Sequence, residues 1–188
     1  MAGDGSPSTF VRAQRYIGER VTSALERVEP GLIDRAVELL VQAPQIFVYG
    51  AGRSGIVGRA FAMRLVQTGL RAYVIGESVT PIVKRGDAVF ILSGQGETYS
   101  SLQTANIVRR EGAELIVVTA RPSSKLAHTA SLLLSLEFPD DPERPRLAPL
   151  GTLFESASLR LTDALIAELV GVRGESEASM RGRHAIMV

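Results

Sequence analysis

Short apolar runs alternate with amphipathic segments through the middle of the chain. Five of these runs have the length and composition of strands, and they lie at 45–49, 71–75, 87–92, 114–118 and 131–136. Between them, segments with helical spacing at 54–68 and 98–110 stop at Gly69 and Gly112. Strands that alternate with helices predict right-handed βαβ crossovers, and therefore a parallel sheet with helices on both faces.

Helices are also predicted on both sides of this alternating region. The periodic segments there lie at about 9–28, 32–41 and 152–170. The stretch 138–149 is rich in proline and charge and is expected to be a loop, and residues 1–8 are expected to be disordered. The chain therefore divides into an N-terminal tail and helix (1–30), an α/β domain (31–170) and a polar C-terminal tail with a short helix (171–188).

The composition excludes several classes of function. The 188 residues are 45% hydrophobic and can bury a core, but no apolar run reaches the roughly 18 residues of a membrane span. Because cysteine is absent, disulfides and thiolate metal sites are excluded and a cytoplasmic location is expected. The polar N-terminus shows no secretory signal. A net charge of +1 gives no reason to expect nucleic acid as a partner.

Two glycine-rich loops carry the candidate chemistry. Gly50-Ala-Gly-Arg-Ser-Gly55 follows the first predicted strand, Ser93-Gly-Gln-Gly-Glu-Thr98 follows the third, and each opens a helix. Ligands of open parallel sheets bind at the carboxyl ends of strands, and helix N-termini favour anions. Together with the hydroxyls of Ser54, Ser93 and Thr98, the two loops predict a phosphate-bearing ligand. The alternative is that both loops are tight turns whose hydroxyls cap helices.

The first loop also fits the G-x-G-x-x-G pattern of dinucleotide-binding folds. Glu77 lies where such a fold would place its ribose-binding acid. The second loop is not required for dinucleotide binding, and little chain remains after the sheet to build a substrate domain. Nucleotide binding therefore stays the weaker interpretation.

The two loops, in this order and on these elements, resemble the sugar isomerase (SIS) domain over about residues 30–170. Within that superfamily, Gly50–Gly55, Gly151-Thr-Leu-Phe-Glu155 and Arg183-His184-Ala185 are similar to the 6-phospho-3-hexuloisomerases. The resemblance implies an α/β fold of flavodoxin-like or Rossmann-like type. It is a three-layer αβα sandwich with a five-stranded parallel sheet and, here, an N-terminal helical extension. It also implies a homotetramer (a dimer of dimers) with active sites between subunits.

The resemblance further implies an activity without metal or cofactor. Members of that family interconvert D-arabino-hex-3-ulose 6-phosphate and fructose 6-phosphate through a cis-enediol, in the ribulose monophosphate pathway of formaldehyde fixation or in pentose supply. Carried onto this chain, the expected substrate-binding residues are Gly52, Arg53, Ser54, Ser93, Gly94, Gln95, Gly96, Glu97 and Thr98. The family commonly has Ser where this chain has Gln95, and an amide can still donate to a phosphate oxygen.

Glu155 and His184 are the expected catalytic residues. One carboxylate can move a proton between adjacent carbons if it lies over that edge of the substrate. Glu155 matches the family's glutamate, but Thr152-Leu-Phe-Glu155 also reads as a capping box. His184 would shuttle a proton between oxygens from the C-terminal tail, unless it is simply a solvated tail residue.

Two other functions remain open from the sequence. One is another aldose–ketose isomerase of the same fold, such as an arabinose 5-phosphate isomerase. The other is a non-catalytic sugar-phosphate sensor that kept the loops. Sensors usually carry a DNA-binding or effector domain, and no basic helix-turn-helix segment is visible here.

Overall fold

The computed structural model describes residues 7–186, and the sheet at its centre has five parallel strands. The strands are β1 Ile46–Gly50, β2 Ala72–Val74, β3 Ala88–Leu92, β4 Glu114–Thr119 and β5 Leu132–Ser135. Their spatial order is β2-β1-β3-β4-β5, and every neighbouring pair is parallel. The predicted strands and their parallel arrangement are confirmed. The chain reverses its direction of winding between β1 and β3, where folds of this order bind their ligands.

Seven α-helices surround the sheet in the described part of the chain. They are α1 Thr9–Glu26, α2 Pro30–Gln42, α3 Arg53–Gln67, α4 Tyr99–Glu111, α5 Arg144–Leu147, α6 Thr152–Arg173 and α7 Glu177–Gly182. A single 3₁₀ turn at Ala127–Thr129 precedes β5. Proline opens α2, and a left-handed glycine ends both α4 and α6, as the stop signals in the sequence indicate.

The core consists of two layers, one on each face of the sheet. All five residues of β3 are buried, and their side chains alternate between the layers. Ala88, Phe90 and Leu92 pack with apolar residues of α1, α2, α3 and α6. Val89 and Ile91 pack on the other face with residues of α4. The three-layer αβα sandwich expected from the sequence is therefore present.

The N-terminal helix is part of this core. Val21 and Ala24 of α1 are buried, and Val21 packs in the same layer as α2 and α6. This packing stabilises α1, because most of the stability of a helix in a folded protein comes from burial of its apolar face against the rest of the domain.

Several local boundaries differ from the sequence expectations. The 138–149 stretch contains the one-turn helix α5, α6 continues to Arg173, and α1 ends at Glu26. Of the 1–8 segment expected to be disordered, residues 1–6 lie outside the described residues, while Ser8 accepts a hydrogen bond from the Val11 amide as the N-cap of α1. The short tail helix is confirmed as α7.

Between residues 7 and 186, the structure has no helix with the length and hydropathy needed to cross a bilayer.

Candidate active site

A cleft of about 600 Å³ opens at the carboxyl ends of β1 and β3, at the switch point of the sheet. Its walls come from both glycine-rich loops, from the start of α6 and from the 138–149 segment. Six of the predicted site residues line it: Ser54, Ser93, Gly94, Gln95, Thr98 and Glu155. The structure therefore brings the two loops and the α6 carboxylate together.

Close backbone approach explains the glycines of the first loop. A Cβ on Gly55 would lie 2.4 Å from the Gly50 carbonyl oxygen, and one on Gly50 would lie 2.8 Å from the Gly55 amide nitrogen. Only glycine at both positions lets α3 start directly beside the end of β1. Gly52 has φ +57°, a conformation that side chains rarely adopt, and it opens α3 as its N-cap.

The second loop is fixed by contacts on both of its sides. A Cβ on Gly94 would lie 3.0 Å from the Phe154 ring, so this glycine lets the loop approach α6. Gly96 has φ +65°, and a Cβ there would lie 2.0 Å from the Ser124 hydroxyl oxygen. Gly96 is buried and does not line the cleft. Gly96 therefore supports the conformation of the second loop without lining the cleft.

The loop hydroxyls do not cap the helices that follow. The N-cap of α3 is Gly52, which has no side chain, and the N-cap of α4 is Thr98, whose hydroxyl makes no capping hydrogen bond. Both Ser54 and Ser93 line the cleft, and neither hydroxyl takes part in a side-chain hydrogen bond between residues 7 and 186. The capping alternative is therefore wrong for these residues, which leaves their hydroxyls available to a ligand.

Glu155 does not form the capping box that its sequence context suggests. Gly151 rather than Thr152 is the N-cap of α6, and the Thr152 hydroxyl donates to the Pro149 carbonyl at 2.6 Å. The Glu155 carboxylate instead accepts a hydrogen bond from the Arg53 guanidinium. Only 13% of the Glu155 side chain is exposed, so the carboxylate is largely shielded from water.

Besides His184, four predicted site residues, all in the two loops, lie outside the cleft lining. Besides Gly52 and Gly96, these are Arg53, which reaches the site only through Glu155, and Glu97. The Glu97 carboxylate turns away to the Lys125 backbone amide at 2.9 Å and pairs with the Lys125 ammonium at 3.3 Å. The hydrogen bond from the Lys125 amide holds the pKa of Glu97 below its ordinary value.

His184 lies at the opposite end of the sheet from the cleft of its own chain. The neighbouring Arg183 guanidinium donates to the Gln67 carbonyl at 3.0 Å, which fixes the tail against the C-terminus of α3. Because α3 starts at the cleft and its 15 residues span about 22 Å, the two ends are far apart. His184 therefore lies away from Glu155 of the same chain.

Arg144 is a cleft residue that the sequence reading missed. It lines the cleft from α5, within the stretch expected to be only a loop. The sequence signal for it was the density of proline and charge in 138–149, directly before Gly151–Glu155. Composition alone does not show that such a segment folds back over the strand ends.

The acidic residue expected of a dinucleotide site is engaged elsewhere. Glu77, the candidate ribose ligand, pairs with Arg59 of α3 at 2.6 Å.

Within residues 7–186 there is also no group of three His, Asp or Glu side chains placed to hold a metal ion.

Comparison with known protein families gives one match that covers most of the chain. The SIS domain model matches residues 39–154, which include both loops, Arg144 and the start of α6. A 3-hexulose-6-phosphate isomerase of Methylomonas aminofaciens is 33% identical over 174 residues, which cover 92% of this chain and 96% of that protein.

A solved structure and a regulator extend the comparison. A Methanococcus jannaschii protein, for which its structure inferred 3-hexulose-6-phosphate isomerase function, superposes with a TM-score of 0.83 at 27% identity. The match covers 92% of this chain and 97% of that one. The transcriptional regulator HexR of Pseudomonas aeruginosa is 30% identical over 75% of this chain but only 51% of its own length.

Proposed function

The chain belongs to the SIS domain family, and we propose that it isomerises D-arabino-hex-3-ulose 6-phosphate to fructose 6-phosphate and back. Relatives named as 3-hexulose-6-phosphate isomerases support a sugar-phosphate isomerase of this family. The observation that carries the specific reaction is Glu155. Its shielded carboxylate lines the cleft beside both phosphate-type loops, and no capping role occupies it.

Glu155 is the base of the proposed reaction. It removes the proton from C2 of the 3-ketose, which leaves a cis-enediol across C2 and C3, and it returns that proton to C3. The proton of the O2 hydroxyl moves to O3, so the carbonyl ends at C2. Arg53 holds the carboxylate in place through its hydrogen bond, and the burial of Glu155 limits exchange of the proton with water.

The second loop and the start of α4 bind the phosphate in this proposal. Ser93 and Thr98 present hydroxyl donors, and Gln95 presents an amide donor. The N-terminus of α4 adds unpaired backbone N–H groups and a partial positive charge. Ser54 of the first loop donates to a sugar hydroxyl from the opposite wall.

His184 acts in the cleft of another subunit under this proposal. It is exposed and lies about one helix length from its own cleft, so only a neighbouring copy of the chain brings a His184 to Glu155. The homotetramer implied by the family resemblance supplies such a copy. Both the tetramer and the cytoplasmic location stay predictions.

Fructose 6-phosphate with an added hexulose-phosphate synthase tests the reaction. If the protein forms hex-3-ulose 6-phosphate, the synthase cleaves it and releases formaldehyde, which is measured directly. We expect formaldehyde with the wild-type protein and release at least about 100-fold slower with Glu155→Gln. Turnover of arabinose 5-phosphate without formaldehyde release would instead assign another isomerase reaction.

The sensor function has one specific observation in its favour, the similarity to HexR. HexR is described as a helix-turn-helix regulator, and this chain covers about half of it. Binding of fructose 6-phosphate without turnover of any sugar phosphate would support a sensor and contradict the proposed reaction.

A further inference from the structure

Residues 138–149, here called the strap, form part of the cleft wall and bring Arg144 to it. Phe138, Arg144 and Pro145 of the strap line the cleft, and Arg144 opens the single turn of α5. The backbone of that turn is closed by hydrogen bonds from the Arg144 amide to Asp141 and from the Ala148 amide to Arg144. The base of the Arg144 side chain is therefore fixed while its guanidinium stays exposed.

Few charged residues line the cleft. Of the residues that line it, only Arg144 and Glu155 carry a charge. Arg53 is committed to Glu155, and the guanidinium of Arg144 has no ion pair or hydrogen bond to any residue in the described range 7–186. A sugar phosphate brings about two negative charges into a cleft that already contains one carboxylate. Arg144 is the cationic group positioned to offset them.

Two ion pairs with the N-terminal helix fix the strap in position. Arg12 of α1 pairs with Glu143 at 2.5 Å, and Arg20 of α1 pairs with Asp141. The Glu143 backbone amide also donates to Asp141 at 2.9 Å, and this bond is the main cause that holds the pKa of Asp141 below its ordinary value. The ion pairs hold Asp141 and Glu143, the second of which immediately precedes Arg144, and they leave Arg144 itself unpaired. The strap is thus held to α1 by Asp141 and Glu143, whereas Arg144, in the cleft lining, has no ion pair within the described residues.

We propose that Arg144 binds the phosphate of the substrate, and that α1 positions it through the ion pairs of Glu143 and Asp141. The inference rests on the proposed function for the identity of the ligand, a phosphorylated sugar. A guanidinium presents a planar fork of N–H donors that matches phosphate oxygens, and charge-assisted bonds of this kind are among the strongest in proteins. The loop hydroxyls and backbone amides then orient a phosphate whose charge Arg144 neutralises.

The alternative role is stabilisation of the enediolate that forms beside Glu155. The two roles separate kinetically, because a group that contacts the phosphate equally in ground and transition states changes KM and leaves kcat almost unaltered. A group that contacts only the developing oxyanion lowers kcat instead.

Calorimetric titration with fructose 6-phosphate and with inorganic phosphate provides the test. The variants are Arg144→Ala, Arg144→Lys and Arg146→Ala. Arg146 is the matched control, since it lies on the same turn, is exposed, carries the same charge and does not line the cleft. For Arg144→Ala we expect Kd for both ligands to rise about 10- to 100-fold, the loss typical of a charged hydrogen-bond pair. Arg144→Lys restores part of the affinity, and Arg146→Ala changes Kd less than about twofold.

Salt dependence provides a second readout that a structural role would not move. The wild-type affinity for fructose 6-phosphate should fall from low to high sodium chloride more steeply than the affinity of Arg144→Ala, because screening acts on the charge pair. In the isomerase assay, KM should rise with Kd while kcat changes less than about threefold.

The outcomes separate this inference from the proposed function. Unchanged phosphate affinity in Arg144→Ala, or equal losses in Arg144→Ala and Arg146→Ala, would overturn the role of Arg144 even if the wild-type protein isomerises its substrate. A loss confined to kcat would also overturn it, in favour of the enediolate role. Conversely, an Arg144-dependent affinity for inorganic phosphate in a protein that releases no formaldehyde would support Arg144 and overturn the proposed hexulose-phosphate reaction.

Discussion

The two ends of the sheet differ in how far their polar side chains are paired within the protein. At the amino end, Arg173 donates to the Thr68 carbonyl at 3.0 Å, and Arg183 donates to the Gln67 carbonyl and to both carboxylate oxygens of Glu175. At the carboxyl end, the hydroxyls of Ser54 and Ser93 and the guanidinium of Arg144 have no protein partner within residues 7–186.

The difference teaches how to separate polar groups that stabilise the fold from polar groups that bind. A carbonyl left without a hydrogen bond at a helix end is costly, so arginines that satisfy such carbonyls contribute to stability. Hydroxyls and a cation that remain unpaired around a concave space contribute little to folding and are available to a ligand. The four predictions below test this contrast, in order of decreasing effect.

Glu155→Gln should have the largest effect, on activity alone. The amide keeps the size of the side chain but cannot accept a proton, so kcat should fall about 100- to 10,000-fold. Initial rates of isomerisation measure the loss, and thermal unfolding should show little change. Glu38→Gln is the matched control, since it removes the carboxylate of a surface ion pair with Arg35 far from the cleft. Near-wild-type turnover by Glu155→Gln would show that Glu155 is not the base.

Gly96→Ala should have the next largest effect, on stability. The added Cβ meets the Ser124 hydroxyl oxygen at 2.0 Å and requires a φ of +65°, so the second loop must move. Backbone strain together with overpacking should cost about 2–4 kcal/mol in chemical unfolding. Gly18→Ala in α1, with no atom within 4 Å of its Cβ, should instead stabilise by about 0.5–1 kcal/mol. Equal effects of the two substitutions would contradict the supporting role of Gly96.

Ser93→Ala should affect binding more modestly. Ser93 lines the cleft, and its hydroxyl makes none of the side-chain hydrogen bonds within the described residues, so its removal should leave stability nearly unchanged. KM should rise about five- to tenfold, because one hydrogen bond to the ligand is lost. Ser23→Ala, which removes a hydroxyl that accepts from Arg27 on α1, is the control for KM. A large loss of stability in Ser93→Ala would instead show that Ser93 stabilises the fold, as the paired residues at the amino end of the sheet do.

Glu175→Gln should have the smallest effect, and one that depends on pH. Hydrogen bonds from Arg183 and Ser179 lower the pKa of Glu175 from 4.5 to about 2. A carboxylate with a depressed pKa stabilises the fold above its unfolded pKa and loses that contribution as pH falls towards its folded pKa. The Tm difference between wild type and variant should therefore be full at pH 6 and shrink between about pH 4.5 and pH 2.

Glu177→Gln is the matched control for that titration. Glu177 is exposed, and within the described residues its side chain pairs only with Arg181, one turn away on the same helix, so its Tm difference should stay small throughout. A pH-independent Tm difference for Glu175→Gln would contradict the proposed stabilisation by the Arg183–Glu175 pair.

Elements and loops were predictable, because their signals are local. The strand around Phe90 lies where an apolar run predicted it, and the loops after β1 and β3 both reach the cleft. Partners of the charged side chains were not predictable. Glu97 lies in the second loop like Gln95, yet it turns to Lys125, which is 28 positions further along the chain. Glu155 carried a local capping pattern that the structure does not use.

The sequence by itself determined the parallel α/β sheet, the two glycine-rich loops and the position of Glu155 at the start of α6. The hydrophobic periodicity of an element and the glycines and turn residues that bound it act over a few residues. Such local signals can therefore be recognised in the sequence. Only the tertiary structure decided which polar side chains pair with other groups of the protein and which do not. Arg53 meets Glu155 across 102 positions and Arg12 meets Glu143 across 131. Such pairs depend on how helices pack on the sheet, and that packing also placed the strap along the cleft wall and Arg144 in the cleft lining.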